Sequence, residues 1–410
     1  MTEQNVDLGR EESLSDYIQN QAERLSQELN RHMFDSFAPD NTKVLRKFTA
    51  AEASDLIGTS TSNLRKLHSE GKIPDAETDS RGRRLYSAEE IHKIRDYLAI
   101  EGRNTDIFRP GRRSPQDQMQ VIALANFKGG SGKSTTSIHM AQRFALKGYK
   151  VLAVDMDPQA SLTTMFGYRP EIAFAEGGTI YDVLDYENPA PLSSIIRDTY
   201  FPNLDLAPAG IMLSEYETET ALALQRGARV SGAPFYSRLT QALLTVDDYY
   251  DIVFIDCPPQ IGFLTLTALT ASTGVVTTII PAMYDVASMA QFLMLAGNLM
   301  RTIEQAGINP DWAFMKYLLS RYEHHDGAQS QMAHFLRMMF GDNVMENPVV
   351  KSTVILDASS TQETIYEIPP TSVNKKTLER ALQSMNAAAN ELEVLVQQAW
   401  ERPVPDKGAA

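Results

Sequence analysis

Residues 126–135 read Asn-Phe-Lys-Gly-Gly-Ser-Gly-Lys-Ser-Thr, with three glycines standing among hydroxyls and two lysines. Gly129, Gly130 and Gly132 open backbone conformations closed to other residues, so that successive N–H groups can converge on the oxygens of an anion. Lys133 would neutralise adjacent phosphates, and the Ser134 hydroxyl would ligate Mg²⁺. Ser131 and Thr135 complete the cradle. This is chemistry for a nucleotide polyphosphate. The general phosphate-loop pattern, G-x-x-x-x-G-K-[ST], asks for glycine where Phe127 stands, and Lys128 adds a cation that most such loops lack. One alternative is a glycine-rich turn with no ligand. Another is a dinucleotide fingerprint, which would need its third glycine where Thr135 stands.

Two further acidic segments suit the same ligand. In Val154-Asp155-Met156-Asp157-Pro158-Gln159, two carboxylates leave the end of an apolar run, and their spacing puts them nominally on one face of a strand. In Phe254-Ile255-Asp256-Cys257-Pro258-Pro259 another acid follows an apolar run, as expected of an aspartate that holds the water shell of Mg²⁺. Asp157 has a structural alternative, helix capping, because Pro158 suits a first helical position.

These groups need a scaffold. Met119–Ala125 is an apolar run of strand length, and a helix beginning near Ser134 follows the glycines, which is the order the loop requires. The helix would turn its positive end toward the anion. Apolar runs at 149–154, 250–255, 275–280 and 313–319 read as further strands, buried on both faces of a mostly parallel sheet. Leu378, Leu382, Met385, Ala388, Leu392 and Leu395 give residues 373–400 helical spacing. The expected fold is an α/β P-loop nucleotide-binding domain over 119–410, a mostly parallel sheet flanked by helices.

Upstream, residues 1–40 carry an N-terminal helix over 13–38, with apolar positions Leu14, Tyr17, Ile18, Ala22, Leu25, Leu29 and Met33. Such a stripe must dock on the rest of the chain or on a second copy, and dimerisation is the expected use. Residues 41–101 form another module, an α-helical winged helix-turn-helix. Thr49 and Glu52 make a capping box, and Gly58 stops the first helix. Thr59–Ser62 supply a turn, and a basic helix runs from Asn63 to Gly71. Arg81-Gly82-Arg83-Arg84-Leu85-Tyr86 reads as a cationic hairpin, and a helix over Ala88–Leu98 closes the module. Its second helix would offer Ser62, Asn63, Arg65 and Lys66 to the major groove, with Arg81, Arg83 and Arg84 on the wing. The run Arg84-Leu85-Tyr86-Ser87-Ala88-Glu89-Glu90-Ile91 resembles the segment after the wing in MerR-type domains. Residues 102–118, with Gly102, Pro110, Gly111 and Pro115, read as a linker.

Bulk properties narrow the classes. The net charge of −14 argues against nucleic acid only until its distribution is seen, since residues 41–113 carry 15 basic against 11 acidic side chains. The first residues, Met1–Arg10, are polar and lack a signal-peptide core, and no apolar run approaches the roughly 18 residues of a membrane span. The single cysteine, Cys257, excludes an internal disulfide and an iron–sulfur site, and fits a cytoplasmic setting.

The loop NFKGGSGKST, followed by VLAVDMDPQAS and YDIVFIDCPPQ, closely resembles the ParA-type partition ATPases of the deviant Walker A class. With the preceding helix-turn-helix, the chain is similar to the longer, DNA-binding subclass and particularly to the RepA partition proteins of RepABC plasmids. The resemblance implies ATP/ADP and Mg²⁺ as ligands and slow ATP hydrolysis. Lys128 would reach the phosphates of a second subunit in an ATP-linked homodimer; the plain alternative is an exposed loop lysine. Asp157 would position or activate water, Asp155 would be a Mg²⁺-shell or structural acid, and Asp256 the Walker B acid. Ile279–Met283, with Pro281 and Met283, would pack the adenine. It further implies operator DNA, a ParB-type partner, autorepression and nucleoid association. The stretch that binds non-specific DNA in short relatives keeps only Lys351. A regulator that uses nucleotide as an allosteric ligand is a second reading. A MinD-like membrane ATPase is a third, which the terminal Glu401–Gly408 run does not suit because it lacks a basic amphipathic helix.

Overall fold

The computed structural model describes residues 13–36, 43–101, 105–126, 128–226, 233–305, 307–308 and 310–401. Phe127, Gly102, Met1–Arg10 and Arg402–Gly408 lie outside the described residues. The first 43 residues form one unit and residues 44–410 another. In the first, helix α1 (Leu14–Ser36) carries Leu14, Ile18 and Leu25 exposed along the expected stripe.

The second unit begins with β1 (Phe48–Thr49), α2 (Ala50–Ile57), α3 (Thr61–Ser69), β2 (Glu77–Thr78), β3 (Arg84–Tyr86) and α4 (Ala88–Glu101). Thr49 and Glu52 close the capping box, and Gly58 ends α2 at φ +80°, a conformation that favours glycine. Ser60 caps α3, so this helix starts at Thr61, two residues earlier than its sequence suggests, and Ser62 and Asn63 belong to its first turn. The three strands pair antiparallel in the order β1-β3-β2. A hydrogen bond of 2.9 Å between buried His68 and Tyr86 ties α3 to the wing strand and sets the angle between them.

Seven strands make the main sheet: β4 (Gln120–Ala125), β5 (Val151–Asp155), β6 (Arg197–Asp198), β7 (Leu204–Ala207), β8 (Ile252–Asp256), β9 (Gly274–Ile279) and β10 (Phe314–Leu319). Their order is β10-β9-β4-β8-β5-β7-β6, with all pairings parallel except β6 with β7. The long apolar strands were legible in sequence, whereas β6 and β7 are too short and too mixed in polarity to stand out. Every residue of β4, β5, β8 and β9 is buried, as a sheet covered on both faces requires. Register places Asp155 beside Asp256 and Leu124 beside both Asp256 and Val276, so the carboxyl ends of β4, β5, β8 and β9 share one edge.

The helix Lys133–Leu146 lies in the middle of this construction. Phe144 meets Phe254 edge-on, with centroids 5.3 Å apart, and Tyr149 at 5.2 Å. The same apolar cluster continues through Met385 and Leu392 of the C-terminal helix Lys375–Ala399 into Phe48, Ile57 and Ile94 of the winged module. Phe254→Ala should therefore cost about 3–5 kcal/mol, read as a lowered urea midpoint. The linker reading of 102–118 needs correction, because residues 111–117 are tied down. Asp251 accepts from the Arg112 N–H at 2.7 Å, the Arg112 guanidinium pairs with Asp247 at 3.2 Å, and Asp117 accepts from the Arg113 N–H at 2.9 Å.

Candidate nucleotide site and DNA interface

The phosphate loop leaves β4 and re-enters the helix at Lys133. Gly130 and Gly132 stand at φ +75° and +85°, conformations that a side chain would strain, whereas Gly129 does not need one. Gly132 caps the helix with no side-chain acceptor, leaving the first-turn N–H groups for a ligand. Lys133 is buried, and its ammonium donates to the Lys128 carbonyl at 3.3 Å. Burial lowers its pKa, against the attraction of Asp256 and Asp157. A buried ammonium that donates to one backbone carbonyl at 3.3 Å keeps donors that an incoming polyphosphate would satisfy.

The acids divide their work. The Asp155 carboxylate accepts from the Asp157 N–H at 3.1 Å and from the Thr163 N–H and hydroxyl at 2.9 and 2.7 Å. Both its oxygens are engaged in holding the chain that follows β5. Asp256 accepts from the Ser137 hydroxyl at 3.2 Å through Oδ1, while Oδ2 is buried with no hydrogen-bond partner. Burial and the neighbouring Asp155 push the Asp256 carboxyl upward, and the Ser134 hydroxyl and Lys133 pull it back. An orphaned carboxylate oxygen near a hydroxyl fits Mg²⁺, which uses one or two hard oxygen ligands and fills the rest with phosphate and water. Among the described residues no group of three or more His, Cys, Asp or Glu side chains forms a protein-only metal cage.

Asp157 does not cap a helix. The next helix starts at Ser161 behind Ala160, and the Asp157 carboxylate accepts instead from the Gln159 N–H at 3.0 Å, making a local turn. It is 7% exposed, and burial raises its pKa, the direction that favours proton uptake.

A groove of about 180 Å³ opens beside Gly130 and Gly132, lined by Thr135, Ser320, Arg321, Val350 and Ser352. Pro281 and Met283 do not line it: Pro281 is buried and Met283 is 68% exposed. The chain after β9 turns into the helix Met283–Gln305, while the end of β10 and the 349–356 segment form the wall of this groove. Lys351 sits at this groove, 2.8 Å from Glu323, rather than on an isolated basic surface.

Lys128 reaches neither Asp157 nor Asp256. Its ammonium lies 2.8 Å from Asp285, in the first turn of Met283–Gln305, with its side chain 41% exposed. Nothing in the spacing of the sequence pointed to Asp285, which comes to Lys128 only because β9 lies next to β4.

In the winged module Ser62, Arg65, Lys66, Arg81, Arg83 and Arg84 are exposed. Asn63 is half-buried and donates to the Thr59 hydroxyl at 3.0 Å. Asp79 shapes the wing by accepting from the Arg81 and Arg83 N–H groups at 2.9 and 2.8 Å and pairing with the Arg83 guanidinium at 2.7 Å. Arg83 is therefore committed within the wing, while Arg65 and Lys66 keep open heads on α3, apart from a 3.9 Å approach of Lys66 to Glu70.

Residues 119–308 match a family described as an AAA domain, and residues 48–98 the MerR HTH family of regulatory proteins. The chain is 44% identical over 391 residues to a Sinorhizobium fredii (strain NBRC 101917 / NGR234) protein named "Putative replication protein A", covering 95% of each. It is 28% identical over 341 residues to SopA of Escherichia coli (strain K12), covering 82% of this chain and 84% of SopA. Identity to the sporulation initiation inhibitor protein Soj of Bacillus subtilis (strain 168) is 33% over 253 residues, covering 62% of this chain and 92% of Soj. A solved structure named "Partition Protein" superposes with a TM-score of 0.63 over 92% of this chain and 98% of that one; at 19% identity it speaks for the fold alone.

Proposed function

Because the chain belongs to the ParA-type partition ATPases, in the longer subclass that carries its own helix-turn-helix domain, we propose that it is an ATP-driven switch for DNA partition. Lys133 and the loop N–H groups bind the triphosphate of ATP. Ser134 and Asp256 would hold Mg²⁺, which when bound spreads the charge of the β- and γ-phosphates. Asp157 orients the attacking water and takes its proton. Lys128 exchanges Asp285 for the triphosphate of a second subunit, so that ATP links a homodimer and hydrolysis releases it. Arg65 and Lys66 on α3, with the wing arginines, bind operator DNA, and the chain represses its own operon. A ParB-type centromere-binding protein is the natural regulator of turnover, and association with DNA would bring the protein to the nucleoid. Among the described residues no helix is long and apolar enough to cross a membrane.

One observation carries this reading: a single helix joins the two activities. Lys133–Leu146 starts at the phosphate loop and ends against the winged module, where Arg143 lies 3.1 Å from Asp55 and the Ala145 carbonyl is 3.0 Å from the His92 ring. Arg46 of the module donates to the Tyr366 carbonyl at 2.9 Å, on the segment that also packs against this helix through His139. Through these contacts a shift at the helix start would be passed to the DNA module.

ATP turnover measured with and without operator DNA and the ParB-type protein tests the proposal. Slow basal hydrolysis, raised by the two together, is expected. Asp157→Ala should retain ATP and lose at least about a hundredfold in turnover. A chain that binds ATP and hydrolyses none under any of these conditions would leave the regulator reading, with ATP/ADP as allosteric ligand, in its place.

A further inference from the structure

The residues that follow β10 touch the phosphate loop in a way the loop motif does not account for. The Ser320 hydroxyl, 2% exposed, donates to the Ser131 carbonyl at 2.7 Å. The Arg321 guanidinium donates to the Gly130 carbonyl at 3.2 Å. Two consecutive carbonyls of the loop are thus held by two consecutive side chains of a neighbouring strand end. A peptide unit is planar and trans, so fixing the carbonyl of one residue turns the next residue's N–H in the opposite direction. Ser320 thereby aims the Gly132 N–H, and Arg321 aims the Ser131 N–H, away from β10.

The backbone around these residues is arranged to keep them there. The Ser320 N–H donates to the Ile279 carbonyl at 2.8 Å, extending the β9–β10 ladder by one residue. Arg321 then adopts φ +50°, a left-handed conformation that non-glycine residues rarely hold without a reason. On the same side, Ser131 Oγ lies 3.1 Å from Thr278 Oγ1 at the end of β9.

We infer that Ser320 and Arg321 are positioning residues that orient the peptide planes of the phosphate loop for a polyphosphate. This rests on the nucleotide reading above and deepens it, since it assigns the loop's alignment to two residues nearly two hundred positions away. Because both also line the groove beside the loop, the rival role is contact with the base, and the test separates the two.

The test is competition against a fluorescent ATP analogue on the full chain, using inorganic tripolyphosphate as the phosphate probe and adenosine as the base probe. Ser320→Ala removes the buried donor and should weaken tripolyphosphate about tenfold, leaving adenosine unchanged. Ser320→Thr, which keeps the hydroxyl, should restore most of the affinity. Arg321→Gly retains a residue suited to the left-handed turn while removing the guanidinium, so the fold is kept and tripolyphosphate should weaken a few-fold. Should Ser320→Ala fail to fold, Arg321→Gly carries the test alone. Full tripolyphosphate affinity in the folded variants, with or without weaker adenosine binding, overturns the inference. A wild-type chain that bound neither probe would instead overturn the nucleotide reading itself.

Discussion

Replacing Lys128 with glutamine should leave the chain folded and monomeric, and abolish the shift in sedimentation that a non-hydrolysable ATP analogue produces in the wild type. The fold should tolerate the change because the Lys128 side chain is 41% exposed and a glutamine amide can still donate to the buried Asp285 carboxylate that lies 2.8 Å from the ammonium. Glutamine keeps most of the stem and removes the charge. At a subunit seam the loss is larger. An ammonium facing a triphosphate makes short charge-assisted hydrogen bonds in a place from which water is excluded, and removing one partner leaves the other's charge uncompensated. The same variant should keep measurable affinity for ATP, since Lys133 and the loop N–H groups remain. An unchanged sedimentation shift would overturn the cross-subunit role of Lys128 and leave it as a loop lysine.

Changing Arg65 and Lys66 together to alanine should reduce operator affinity by at least about thirtyfold and leave basal ATP hydrolysis intact. Both side chains are exposed on α3, so they carry no share of the core. Each contact to a base or phosphate contributes roughly 1–3 kcal/mol, and losing two lowers both the affinity and its dependence on salt. Filter binding across a salt series would show the expected shallower slope. If operator binding survives with an unchanged slope, the winged module reads DNA through another face or only supports the ATPase.

Several parts of the site were legible as residue types at short spacing. The phosphate loop at 126–135, the acidic segments at 154–159 and 254–259 and the helix-turn-helix at 50–69 are each one short continuous stretch, where backbone geometry is dictated locally by glycine, by caps and by apolar runs. The capping box at Thr49 and Glu52 is of this kind, and so is the glycine stop at Gly58. Less legible was which distant segments come together. Pro281 and Met283 follow an apolar run that reads like a wall for a base, but the groove beside the loop is built from Ser320, Arg321 and the 350s. Residues 111–117 read as a linker because their composition is that of a linker. Their attachment depends on Asp247 and Asp251, more than a hundred positions later.

By itself, the sequence determined the class of ligand and the presence of a DNA-reading module, because a loop that binds phosphate and a helix that enters a groove are each made by neighbouring residues. Only the tertiary structure decided which side chains lie beside them. The strand order brings β9 and β10 beside β4, and so delivers Asp285 to Lys128 and Ser320 to the loop carbonyls. The same packing runs one helix from the phosphate loop to the winged module, as no local pattern could reveal. The physical reason is that side-chain chemistry is written along the chain, whereas the direction of a peptide plane or the partner of a buried charge depends on contacts between segments far apart in it.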